Sequence, residues 1–158
     1  AVAAAKETFQ LARPGSRLHS QALYGGIAAA LLTSDVEAVM AFLGALLTVD
    51  PDRDQVTAFA SALCGTISAL LLASISAHDT AAVCLNRIRV VIGEHGQDEP
   101  AALAWEETAR GHWALWAQRN PWKSSQHYRR ARQIFETVGD VLNDRMTTCF
   151  LALGRSFS

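Results

Sequence analysis

What most constrains this chain is the spacing of its helix punctuation. Pro14-Gly15-Ser16 ends one helix and offers Ser16 as the cap of the next. Ser34-Asp35-Val36-Glu37 has the form of a capping box, in which the serine and the glutamate each satisfy an otherwise unpaired backbone N–H. Asp50-Pro51 and Asn120-Pro121 place a capping side chain before a proline, whose missing N–H costs nothing at the first helical position. His95-Gly96-Gln97-Asp98 and Gly139-Asp140 supply a glycine stop followed by an aspartate start. These marks predict helices near 2–12, 17–33, 35–49, 52–77, 79–94, 99–119, 121–138 and 140–157. No run of β-branched residues alternates with polar ones, so no strand is expected. Loops of two to five residues force consecutive helices to lie antiparallel, giving an all-α domain over residues 1–158 built of stacked hairpins.

Composition agrees with that reading. Half of the residues are apolar and 18% are charged, which excludes disorder. Alanine and leucine dominate, and they lose least on entering a helix. A formal charge of −1 leaves no global field to draw nucleic acid or an acidic membrane. Cys64, Cys84 and Cys149 are widely spaced and odd in number, which argues against a disulfide framework and for a reducing, cytoplasmic compartment. The chain opens in mid-pattern at Ala1-Val2-Ala3-Ala4-Ala5 and is expected to be a section of a larger protein. Val56 to Ala77 runs 22 residues without a charge, long enough to cross a bilayer. It also carries Thr57, Ser61, Gly65, Thr66 and Ser68 and lacks an aromatic belt or basic flanks. The reading is therefore a helix sandwiched between neighbours and apolar all round.

Glycines fall inside four of the expected helices, at Gly26, Gly65, Gly111 and Gly154, separated by 39, 46 and 43 residues. A glycine inside a helix costs about 1 kcal/mol against alanine, so the interval predicts places where helices approach closely. Ala38, Phe42 and Ala45 follow Gly26 in the pattern A-x-x-x-F-x-x-A, and Ala131, Phe135 and Val138 repeat it with valine last. Phe150, Leu153, Gly154 and Phe157 form an aromatic-x-x-L-G-x-x-aromatic pattern. In these motifs the chain resembles the tetratricopeptide-repeat family. The resemblance covers residues 17–157 in architecture and is specific at the first and last units; around Gly65 and Gly111 the motif positions hold Ser61, Cys64, Glu107 and Arg110. It implies a right-handed α-solenoid of about eight helices that binds another protein. The stretch from Glu99-Pro100-Ala101 through Ala131 to Asp140 further resembles the C-terminal repeats of large bacterial regulators linked to a serine/threonine kinase or a signalling ATPase. Twelve arginines against two lysines suit such a source.

Such a solenoid lines its concave face with the first helix of each hairpin. Counted from the glycines, that face is expected to present Leu23, Ile27, Phe59, Thr66, Trp105, Thr108, His112, Trp116, Leu151 and Arg155. The row is largely apolar and suits a helix or peptide with anchors at i, i+3 and i+4. All four tryptophans, Trp105, Trp113, Trp116 and Trp122, lie within eighteen residues, and tryptophan is enriched among binding hot spots. His112 beside Glu106 and Glu107 is the one arrangement suggesting acid–base chemistry, but no nucleophile, metal-ligand or phosphate-loop motif accompanies it. Binding is thus expected rather than catalysis, with no cofactor, metal or nucleic acid. Two alternatives stand beside it: a structural spacer packing on its parent's catalytic domain, and a small all-α enzyme. Arg119, Lys123, Arg129, Arg130 and Arg132 make a local basic patch read as a solvated face. Met146, Phe150, Leu153 and Phe157 form an apolar stripe on the last helix, with no further helix to cover it, which suggests a homodimer contact.

Overall fold

The computed structural model describes residues 1–73, 77–96 and 98–156, and the side chains of 96, 154 and 155 are not among the described atoms. Residues 74–76, inside the expected helix 52–77, lie outside the described residues, as do Gln97 and Phe157. Among the described residues eight α-helices form: α1 Val2–Leu11, α2 Arg17–Leu32, α3 Val36–Thr48, α4 Val56–Ala73, α5 His78–Val91, α6 Pro100–His112, α7 Pro121–Thr137 and α8 Val141–Arg155. No strand occurs among the described residues. A 3₁₀ turn, Arg53–Gln55, leads into α4, and π turns at Ile92–Gly96 and Trp113–Ala117 extend α5 and α6.

Side-chain caps fix four of the helix starts. The Ser16 hydroxyl accepts from His19 N at 3.3 Å, Asn120 Oδ1 from Lys123 N at 2.9 Å, and Asp140 Oδ1 from Asn143 N at 3.2 Å. The expected capping box is corrected by one residue. Asp35, not Ser34, caps α3 by accepting from Ala38 N at 3.0 Å, and Ser34 takes a left-handed φ of 55° to turn the chain. Asp50 is no cap either, since it pairs with Arg87 of α5 while Val49 O accepts from the same guanidinium at 2.9 Å.

Packing is organised around α4. It lies against α2, α5 and α6, and α3 packs on α2 while α7 packs on α6. Val56, Phe59, Leu63, Ile67, Leu70 and Leu71 are buried along one face of it, while Ser61, Gly65 and Ser68 on another face are only partly covered. The segment Arg53–Ala73 is long and apolar enough to cross a membrane, but 56% of its apolar window is buried inside the chain. Packing thus accounts for the apolar stripe on its buried face, but against expectation the helix is not covered on all sides. The main core joins residues of α2 to α6, and a satellite forms from Ala104, Ala131 and Phe135.

Three of the four regularly spaced glycines mark close approaches, whereas Gly25 and Gly44, also inside helices, have nothing within 4 Å of a would-be Cβ. A Cβ on Gly26 would lie 2.7 Å from the Phe42 ring, one on Gly65 would lie 2.7 Å from Tyr24, and one on Gly111 would lie 2.4 Å from Tyr128. The partners differ, however. At Gly26 and Gly111 the ring comes from the next helix, whereas at Gly65 it comes from α2, two helices back.

Candidate functional site

A groove of about 600 Å³ opens between α2, the start of α4, α6 and the N-terminus of α8. Arg17, Gln21, Tyr24, Ser61, Trp105 and Asn143 are among its walls, with Asp54 and Asp140 at its rim. A smaller hollow of about 230 Å³ shares Tyr24, Ser61 and Trp105 with it and adds Gly65, Met146 and Phe150. The two form one depression with a polar mouth and an aromatic end. Tyr24 is 38% exposed and its ring lies on Gly65, while Trp105 is half-buried with its edge against Phe135 at 5.3 Å. The floor is narrow-chested because α4 presents Ser61, Gly65 and Ser68 there, four and three residues apart on one helical face.

Most residues expected to form this face lie beneath it. Leu23, Ile27, Phe59, Thr66 and Thr108 are wholly buried, and Leu151 nearly so. Thr66 and Thr108 each donate to the carbonyl four residues back, at 2.9 Å, within their own helix. These side chains hold helices together. The exposed row runs one position away, through Tyr24, Ala58 and Ser61, because one residue turns a helix by 100°. Trp105 alone of the expected residues lines the main groove, and His112 borders only the inner hollow. The side chain of Arg155 lies outside the described atoms.

The tryptophans do not form one cluster. Trp105 faces the groove, Trp113 lines a separate cleft and sits edge-on to His78, and Trp116 packs half-buried on the main core. Trp122 is 68% exposed. The π turn separates them: Gln118 N reaches Trp113 O, a longer loop than the α bond, so Trp116 falls behind the stripe that Trp105 and His112 share.

His112 is a core residue. Its Nδ1 lies 2.9 Å from the Tyr128 hydroxyl, and Phe150 of α8 closes over both rings, 4.7 Å from His112 and 5.6 Å from Tyr128. Burial lowers the imidazole pKa to about 4 and raises that of the phenol, so both partners are neutral. Glu107, the acidic neighbour of His112 in sequence, bonds His127 Nδ1 at 2.8 Å. Nothing in the sequence marked Tyr128 as the partner, but its spacing of 17 from Gly111, close to the 16 between Gly26 and Phe42, is a signal that a repeat alignment would use. Phe150 and Met146, expected on an uncovered stripe, are both half-buried and border the hollow beside α4 and α6. Leu153 remains 41% exposed.

No protein-family model, curated protein or solved structure matches this chain.

Proposed function

We propose that the chain is a protein-binding regulatory module, a tetratricopeptide-like stack of helical hairpins that takes a helix or peptide in the groove between α2, α4, α6 and α8. The observation that carries this reading is the groove itself, about 600 Å³ with two aromatic side chains among polar ones. That is a size and make-up suited to a few anchoring side chains of a ligand. Tyr24 and Trp105 serve as the anchors, and Gln21, Ser61 and Asn143 offer hydrogen bonds to a peptide backbone. The partner segment is therefore amphipathic rather than wholly apolar. Two features favour the repeat reading: α2, α4 and α6 pack in succession, and a second-helix aromatic lies on a first-helix glycine at both Gly26–Phe42 and Gly111–Tyr128. In its wider setting the module acts, without a cofactor, as a cytoplasmic arm of a bacterial regulator linked to a kinase or an ATPase.

The test is to select peptides from a displayed library against the chain and titrate them against variants. Ser61→Trp, which fills the groove, and Trp105→Ala should each weaken binding tenfold or more. Trp122→Ala, on an exposed surface, should leave it unchanged. Peptides indifferent to Ser61→Trp but sensitive to Trp122→Ala would refute the assignment.

A further inference from the structure

A second cleft, of about 330 Å³, shares no residue with the groove. It opens between α5, the π turn that ends α6 and the first two turns of α7. Arg89, Arg110, Lys123 and His127 line it, with Trp113 as an aromatic wall. Of the basic residues adjacent in sequence, only Lys123 is here; Arg130 lines a different cleft and Arg132 pairs with Asp144 at 2.9 Å. The fold has replaced the sequence cluster with a spatial one drawn from three helices.

Two of the four groups are held in place. Glu107 accepts from Arg110 Nη1 at 3.3 Å and bonds His127 Nδ1 at 2.8 Å, while Glu106 accepts from Arg110 Nη2 at 2.6 Å. Both carboxylates line the neighbouring cleft with Leu103 and Ile134, so they sit behind the basic groups. With Nδ1 engaged by a carboxylate, Nε2 is the imidazole nitrogen left for a ligand. Arg110 and His127 side chains are 35% and 13% exposed, which limits their rotamer freedom before any ligand arrives. Arg89 and Lys123 have no acidic partner within 4.0 Å among the described residues. Counting Arg89, Arg110 and Lys123 against Glu106 and Glu107 leaves one positive charge uncompensated.

We propose that this cleft binds a phosphomonoester, its oxygens taken by Arg89, Arg110 and Lys123, with His127 Nε2 beside them and its organic group lying on Trp113. Three cationic side chains from three helices match a terminal phosphate, which offers three oxygens and more negative charge than a carboxylate. A flat indole beside them selects a planar substituent next to the phosphate. No bond is made or broken; the site is one of recognition. It stands apart from the peptide groove, so either can fail without the other.

Titration with phenyl phosphate at constant ionic strength, followed by amide and indole NMR shifts, tests the site. Saturable shifts confined to Trp113, Lys123, His127 and their neighbours are expected. Arg89→Glu and Lys123→Glu, both at exposed positions, should each weaken binding at least tenfold, and Arg145→Glu, the same charge change on α8, should not. Trp113→Leu should weaken phenyl phosphate while sparing inorganic phosphate, and thermal melts of each variant separate lost binding from lost folding. A phosphotyrosine peptide binding more tightly than phenyl phosphate identifies a modified protein as the source; equal binding of phenyl phosphate and a nucleoside monophosphate identifies a small molecule. Linear shifts without saturation, equal loss in Arg145→Glu, or benzoate bound as tightly as phenyl phosphate would each overturn the proposal.

Discussion

Adding one methyl group at each of two helical glycines should move stability in opposite directions. At Gly111 an added Cβ would lie 2.4, 2.6 and 2.9 Å from three atoms of the Tyr128 ring, against an ordinary carbon separation of about 3.5–4.0 Å. The ring cannot yield cheaply. It is fully buried, stacked on Phe150 at an interplanar angle of 26°, and tied through its hydroxyl to His112. Overpacking of this kind costs about 1–3 kcal/mol, and breaking the Tyr128–His112 bond in a dry site adds about 1–3 kcal/mol. Alanine's advantage in a helix returns about 1 kcal/mol. Gly111→Ala should therefore destabilise by roughly 3 kcal/mol, the middle of a range of about 1–5 kcal/mol. Gly44, exposed in α3, has nothing within 4 Å of its would-be Cβ, so Gly44→Ala should stabilise by about 0.5–1 kcal/mol. Urea unfolding with an unchanged slope would measure both, and the melting temperatures should differ by roughly 6–12 °C for a domain of this size. On a Tyr128→Ala background, Gly111→Ala should lose its penalty, because the two effects are coupled through contact. A Gly111→Ala variant as stable as the parent would refute the close-approach argument.

Three further outcomes follow from the same structure. Arg119 holds a left-handed φ of 51° after the π turn, a conformation costing a side chain about 1–2 kcal/mol, so Arg119→Gly should raise the urea midpoint by the equivalent of about 0.5–1 kcal/mol. Gly65→Ala should be nearly neutral, since Tyr24 is part-exposed and can swing toward solvent; a loss as large as that at Gly111 would contradict this. His112 is held neutral, with its pKa lowered to about 4 from 6.5 by burial, so the unfolded chain binds a proton that the folded chain refuses between those values. Its contribution is thus fully present above pH 6.5 and lost as the pH falls toward 4, on the order of 3 kcal/mol at most. His112→Gln should flatten the stability profile across that window, and an unchanged profile would sink the assignment.

The helices were largely legible because several carry their own start or stop, and those signals act over three or four residues. The core was partly legible: the glycine interval predicted close approaches, but not that Gly65 would receive Tyr24 from α2 instead of a residue of α5. That choice depends on helix rotation, which punctuation does not fix. The same blindness displaced the groove. Leu23, Phe59 and Thr66 sit about one residue, and so about 100°, from the exposed row. Trp105 and Trp116 lie eleven residues apart, three α-helical turns, yet the π turn at Trp113–Ala117 breaks that phase. The basic cleft was invisible for a different reason. Arg89, Arg110 and Lys123 are brought together only by tertiary packing, and a run of arginines nearby drew the eye elsewhere.

Phe150 closing over His112 has one more consequence. The last helix is the lid that keeps this imidazole dry, so the protonation of a single ring records whether α8 is seated. Removing the chain from 141 onward, or drawing α8 aside with a ligand in the adjoining groove, would wet the ring and let it titrate near pH 6.5. His112 is in that sense a docking gauge already wired into the protein, readable by the pH dependence of one imidazole resonance.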